Sequence, residues 1–263
     1  MISKNIIKQI RSLERKKGRT EQGLFVAEGW KTVDELLVKG FPARYIIATD
    51  EYWHHHHQDV ESRKDGALAT TECHHVSDDE LKRISFLQHP QQVMAVFKIP
   101  QTRHSSLPEL ASLAEKQLCM ALDGVQDPGN LGTIIRIADW FGIDTIVCSP
   151  TTADAYNPKV VQATMGSIAR VHIIYSDLQE YLRSLNKDVP IYGTVLDGES
   201  IYGAELQQRG VIVMGNEGNG ISEHIRNMLT HRLLIPSYRP DTAESLNVAI
   251  ATAITCAEFR RPR

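Results

Sequence analysis

The sequence predicts an α/β protein with a parallel sheet in its C-terminal part and a smaller α/β domain before it. Three observations carry this. Beyond residue 117, apolar runs at Leu118–Leu122, Thr145–Cys148, Val171–Ile174, Ile191–Leu196, Val211–Met214 and Leu233–Ile235 alternate with helical patterns at Leu131–Phe141, Leu178–Leu185 and Leu246–Phe259. Strands that alternate with helices imply a parallel sheet. A shorter alternation fills residues 1–98, and Ile99–Pro108, with two prolines and no periodicity, reads as a linker. The expected domains are therefore 1–101 and 102–263, divided near Thr102.

In the first domain, Ile6, Ile7, Ile10 and Leu13 recur at helical spacing, so the chain opens on an amphipathic helix with its cations outward. Leu24–Val26, Tyr45–Ile47 and Val93–Phe97 read as strands and Trp30–Lys39 as a helix. A further helix opens at Ser77, where Ser77 and Glu80 form a capping box. Residues 1–20 hold seven bases (Lys4, Lys8, Arg11, Arg15, Lys16, Lys17 and Arg19) against Glu14 alone, and the chain closes on Arg260, Arg261 and Arg263. Both ends are candidate phosphate contacts; a solvated helix face and a frayed tail explain them equally well.

Composition narrows the class. Hydrophobic residues make up 42% and charged residues 23% of the 263, with net charge −3. That is ordinary for a folded globular protein and argues against disorder or a simple polycation. No apolar run approaches the roughly 20 residues of a membrane span, and the N-terminus lacks a secretion signal. The expected location is the cytoplasm, with no membrane partner. Cys73, Cys119, Cys148 and Cys256 form no Cys-x-x-Cys pair and read as buried free thiols. The run His54–His57, with His74 and His75, has no spaced acidic or cysteine partner and reads as a solvated helix end; no metal is expected.

In open parallel sheets, ligands bind beyond the carboxyl ends of the strands, which directs attention to the loops after Leu122, Leu196, Met214 and Ile235. The first runs Asp123-Gly-Val-Gln-Asp-Pro-Gly-Asn-Leu-Gly132 into a helix that Asn130 is placed to cap, and Arg136 lies six residues on. At 1.5 Å per residue that is about 9 Å up the helix, within reach of a long side chain folded back to the loop. A phosphate or ribose fits there, as does a plain turn. The second loop is Gly215-Asn-Glu-Gly-Asn-Gly220. Its glycine order is Gly-x-x-Gly-x-Gly, not the dinucleotide-binding Gly-x-Gly-x-x-Gly, and Glu217 disfavours a pyrophosphate while tolerating a cationic sulfonium. The third stretch, Ile235-Pro236 and then Glu244-Ser245-Leu246-Asn247-Val248, puts Ser245 and Asn247 at the start of the last helix, where a cap accounts for one of them and not both. Ala249, Ala251, Ala253 and Ala257 make one side of that helix thin, suited to a neighbouring helix or a second subunit.

Together, Asp127–Arg136, Gly215–Ile221 and Ile235-Pro236 with Glu244–Val248 resemble, in content, order and spacing, the three motifs of the SpoU/TrmH family of RNA 2′-O-ribose methyltransferases, of the SPOUT class. Residues 118–260 carry the resemblance strongly, and residues 1–98 more loosely resemble the family's substrate-binding domain. The resemblance implies a C-terminal trefoil knot, rare among proteins, and a homodimer formed through the C-terminal domain. It implies S-adenosylmethionine held by Thr194, Val195, Leu196, Gly215, Asn216, Gly218, Ile235, Pro236, Ser245 and Leu246, and a catalytic neighbourhood of Asn130, Arg136, Glu217, Ser245 and Asn247. It implies structured RNA as substrate, with ribosomal RNA preferred here over transfer RNA. One departure is Arg239-Pro240-Asp241-Thr242-Ala243, where the family has small residues. The competing readings are a dinucleotide-dependent oxidoreductase, disfavoured by the glycine order, and a silent RNA-binding protein, disfavoured by retention of the whole polar set.

Overall fold

A computed structural model describes residues 2–61, 68–100, 106–239 and 243–262. The chain forms two compact units: Met1–Gln101 with Asp154–Ala169, and Thr102–Ala153 with Arg170–Arg263. The expected boundary at Thr102 lies outside the described residues, as do Pro240, Asp241, Thr242 and Arg263.

The first unit opens with α1 (Lys4–Ser12), capped by Ser3, and α2 (Lys16–Gln22), which ends on Gly23 in the left-handed conformation. The single helix expected here is therefore two. There follow β1 (Leu24–Glu28), α3 (Trp30–Val38), β2 (Ala43–Ala48), α4 (Asp50–Glu61), β3 (Glu72–His75), α5 (Asp78–Ile84) and β4 (Val93–Lys98). The capping box of Ser77 and Glu80 opens α5 as expected. The sheet order is β1-β4-β2-β3, antiparallel except for the parallel β2–β3 pair. Ile10, Leu13, Val26, Ile47, Leu81 and Val96 meet in its core.

The basic N-terminus is partly structural. Arg19 is buried, with Nε and Nη2 donating to Asp154 and Nη1 to the carbonyls of Leu13 and Glu14 at 2.8 Å. Arg11 donates to the carbonyls of Arg83 and Ser85 and lies over the Phe86 ring. Neither guanidinium is the solvated phosphate contact that counting charges suggested; Lys4, Lys8, Arg15, Lys16 and Lys17 are exposed. The histidines are also more engaged than a solvated helix end. His56 stacks on Tyr52 and pairs with Asp34, while His75 stacks on Trp53 and pairs with Asp50.

The second unit begins with α6 (Leu107–Ala114), so Leu107 and Pro108 belong to a helix opened by Ser106 and Glu109, not to the linker. β5 (Leu118–Leu122), α7 (Pro128–Trp140) and β6 (Thr145–Cys148) follow. The next segment groups with the first unit: α8 (Pro158–Thr164) packs on β1, and Tyr156 meets Phe25 at 4.9 Å between ring centroids. The second unit resumes with β7 (His172–Tyr175), α9 (Leu178–Arg183), β8 (Ile191–Ser200), β9 (Gly210–Met214), α10 (Glu223–Arg226), β10 (His231–Leu234) and α11 (Val248–Phe259).

All six strands are parallel, in the order β10-β8-β9-β5-β6-β7. β5 and β9 are buried throughout, because helices cover both faces of the sheet. Leu110, Tyr181, Leu182 and Ile225 pack with Cys119, Val211 and Val213, while α7 and α11 lie against each other. Phe259 closes edge-on against Tyr192. Cys119, Cys148 and Cys256 are buried and Cys73 half-buried, with no disulfide among the described residues; burial pushes the Cys119 thiol up to about 12. The C-terminal cations are again partly structural: Arg260 donates to the carbonyls of Phe141 and Gly142 behind α7, and Arg261 pairs with Glu258. Among the described residues, no helix is long and apolar enough to cross a membrane.

Candidate active site

The strand order changes direction between β5 and β9. Their following loops therefore meet at the carboxyl edge of the sheet, where such folds place ligands. Local chemistry shapes each loop. Asp127 precedes Pro128, the first residue of α7, and its side chain accepts from the Asn130 N–H at 2.8 Å. Asp127 is thus the cap expected of Asn130, and the Asn130 side chain is left for other work. Gly215 follows β9, where the chain turns back on itself through paired hydrogen bonds between Asn216 and Gly220. A Cβ at Gly215 would stand 2.3 Å from the backbone of Gly220 and Ile221, so only glycine fits.

Hydrogen bonds tie these loops together. The Glu217 carboxylate accepts from the N–H groups of Gln126 and Asp127 at 3.3 and 3.2 Å and from Asn130 Nδ2 at 3.0 Å. Asn130 Oδ1 in turn accepts from Asn247 Nδ2 at 2.9 Å, and Asn247 Oδ1 caps α11 by accepting from Ala249 and Ile250. One continuous chain, Glu217–Asn130–Asn247, thus joins the loop after β9, the start of α7 and the start of α11. Partial burial raises the Glu217 pKa, but the donors from Asn130, Gln126 and Asp127 outweigh it and hold the carboxyl below its ordinary value.

A second layer supports the first. Asn216 Nδ2 donates to the Gly124 carbonyl at 2.7 Å, while the Gly124 N–H donates to Ser149 Oγ at 3.0 Å. Ser149 also meets the hydroxyls of Thr151 and Thr152, and Asp123 accepts from the Ser222 N–H at 2.8 Å. Sequence reasoning missed Ser149, Asp123 and the capping role of Asp127. Of these, only Asp127 had a legible signal, an Asp immediately before a proline that opens a helix.

The remaining expected residues are more loosely placed. Arg136 is exposed on α7 and has no ion pair or side-chain hydrogen bond among the described residues. At 100° per residue it lies about 120° around the helix from Asn130, on the stripe of Thr133 and Trp140. Ser245 and Leu246 are exposed in the coil before α11, which starts at Val248 and not at Leu246. Thr194, Val195 and Leu196 fall in a bulge: Arg232 pairs with Gly193 but Leu233 with Glu199, so residues 194–198 leave the ladder. Thr194 Oγ1 points at Met214 Sδ, 3.7 Å away, which places the bulge beside the end of β9. Asp197 in that bulge is held by Arg226 at 2.5 Å and by Arg232 at 3.5 Å. Ile235 and Pro236 follow β10, the neighbour of β8, and Gly218 donates its N–H to Asn216 Oδ1.

The sequence signature of the SpoU rRNA methylase family matches residues 117–257, more than half of the chain. The chain belongs to that family. Residues 4–95 match the MRM3-like substrate-binding domain, and SpoU membership implies the trefoil knot. Over 97% of its length, the chain is 32% identical to the 23S rRNA (guanosine(2553)-2′-O)-methyltransferase RlmP of Bacillus subtilis, covering 95% of that protein. A TrmH-family structure from Porphyromonas gingivalis is 38% identical with a TM-score of 0.81, covering 99% of this chain and 98% of that one. The AdoMet-bound rRNA methyltransferase of Sinorhizobium meliloti is 30% identical with a TM-score of 0.83, covering 99% and 95%. This SpoU chain is an RNA methyltransferase whose cofactor is S-adenosylmethionine.

Proposed function

We propose that this SpoU methyltransferase acts on the ribose 2′-hydroxyl of a guanosine in large-subunit ribosomal RNA, with the cofactor bound across the edges of β8, β9 and β10. The relatives named for guanosine 2′-O-methylation support the substrate class. The observation that carries the site is the Glu217–Asn130–Asn247 chain, since it draws all three motif loops to one place.

The residues suit a sulfonium. Residues 194–198, 215–221 and 235–238 contain no lysine or arginine, whereas Glu217 is held ionised at their edge. Thr194, Val195, Leu196, Gly215, Asn216, Gly218, Ile235, Pro236, Ser245 and Leu246 would hold the cofactor. S-adenosylmethionine supplies an electrophilic methyl group, transferred by direct displacement. This chain must therefore hold the ribose oxygen in line and stabilise the charge it develops. Asn130 is fixed by Glu217 on one side and Asn247 on the other, which preorganises it to orient the ribose. Arg136 binds the adjacent phosphate and stabilises the negative charge that grows on the ribose oxygen as its proton passes to solvent; a guanidinium stays charged in proteins and is suited to this role rather than to that of a base. Ser245 assists from the facing coil.

The functional unit is a homodimer through the second unit. Trp140 at the end of α7 is 84% exposed and Ile250 in the first turn of α11 is 53% exposed, two uncovered apolar side chains on helices that pack together. Substituting Ile250→Asp is expected to convert a dimer to a monomer on sedimentation; an unchanged wild-type monomer would contradict the arrangement. The substrate is tested by mapping ribose methylation across total RNA with and without the gene. One guanosine 2′-O-methyl mark in large-subunit RNA should disappear and return on complementation. A lost mark in transfer RNA, or on a base, would overturn the assignment.

A further inference from the structure

The first unit carries an apolar surface that the chemistry above does not use. Trp30, the first residue of α3, is 47% exposed, and Val38, about two turns along the helix, is 63% exposed. Beside them stands Met165, 43% exposed, at the C-terminus of α8. Met165 has φ +51°, a left-handed conformation that a non-glycine residue adopts at a cost. Gly166 follows with φ +94°, a conformation that favours glycine, and a Cβ there would press on Glu35 Cγ of α3 at 3.0 Å. Together with Lys31, Asp34 and Glu35, these residues line a groove of about 370 Å³, within the range of small-ligand clefts.

We infer that this groove seats one unpaired base of the RNA substrate, stacked on the Trp30 indole. An exposed indole offers a π-face to any base; the Lys31 ammonium lies over that ring, 5.5 Å from its centroid, and as the base takes its place it turns to the flanking phosphate. The charges orient the nucleotide. Asp34 and Glu35 repel a phosphate from the interior of the groove but accept from base N–H groups. Asp34 is fixed for this by Tyr52, which donates its hydroxyl at 2.8 Å, and by His56. The base therefore enters and the backbone stays at the Lys31 rim. This rests on the assignment of the chain as an RNA methyltransferase and adds a base-selective anchor outside the methyl-transfer site.

The test is steady-state methylation of protein-free large-subunit ribosomal RNA by wild type, Trp30→Ala and Trp30→Phe, with S-adenosylhomocysteine affinity measured in parallel. The KM for RNA should rise about 5- to 150-fold for Trp30→Ala, the range of base–aromatic stacking, with kcat and S-adenosylhomocysteine affinity unchanged and Trp30→Phe substantially rescued. Ultraviolet cross-linking of the wild-type chain to the same RNA should leave a nucleotide adduct on the peptide containing Trp30. A wild-type KM in Trp30→Ala, cross-links confined to other peptides, or a changed oligomeric state on losing the indole would each overturn the inference, the last by assigning the groove to a second copy. If wild type itself neither binds nor methylates the RNA, it is the substrate assignment that fails instead.

Discussion

Glu217 sits between two competing effects, and the balance decides what it does. Burial alone would raise its pKa; three donors reverse that and keep it ionised. Hydrogen bonds to a charged group contribute about 1.5–3 kcal/mol each, so Glu217→Ala, which releases Asn130, is expected to lower kcat about 10- to 150-fold in a methyl-transfer assay. The pH dependence has a definite sign. A depressed carboxylate stabilises the fold above its ordinary pKa, and that contribution fades as pH falls through the depressed value. The Tm difference between wild type and Glu217→Ala should therefore be full at neutrality, begin to shrink as pH falls through the ordinary carboxylate range, and be gone once pH passes the depressed value. At this scale the sequence was legible in kind but not in pairing. Asn130, Glu217 and Asn247 were recognisable as a polar set, yet their order in one chain depends on partners 87 and 117 residues apart. Arg19 makes the same point in reverse: it counted as a surface cation until Asp154, 135 residues away, buried it.

At the scale of elements, the motif loops work because rigid parts fix their ends. β9 is buried end to end, and its loop turns back within van der Waals distance of itself at Gly215. Gly215→Ala is therefore expected to cost about 1–3 kcal/mol through backbone displacement and to abolish S-adenosylhomocysteine binding, read by thermal unfolding and calorimetry. Buried strands were the most legible elements, since short continuous apolar runs bounded by polar turns mark strands covered on both faces. The bulge in β8 was not legible. Leu196 read as the end of a strand, but the chain continues as far as Ser200, with Asp197 braced by Arg226 and Arg232 from elements 29 and 35 residues later. α8 was missed for a similar reason: Pro158–Thr164 is too short for periodicity to show, and its packing face is set by β1.

For the molecule as a whole, residues 4–95 match a substrate-binding domain and residues 117–257 the methylase, so the proposed function assigns RNA contact by charge to the first part and chemistry to the second. With Arg11 and Arg19 engaged internally, the exposed cations Lys4, Lys8, Arg15, Lys16 and Lys17 remain as the basic arm. Replacing these five with glutamine is expected to reduce the slope of log RNA affinity against log salt by up to about 0.7–0.9 for each phosphate the arm no longer neutralises; an unchanged slope would clear the arm of a role. Deleting the arm outright is not an equivalent test, since Ile10 and Leu13 belong to the core. The proposed methyl transfer depends on three loops bringing a methyl donor to a ribose oxygen beside a guanidinium. Single-turnover methyl transfer by Arg136→Lys, which keeps the charge and removes the planar fork, tests it most directly. A fall of about 10²- to 10³-fold, with RNA and S-adenosylhomocysteine affinities unchanged, is the expected result; near-normal turnover at unchanged affinities would contradict it.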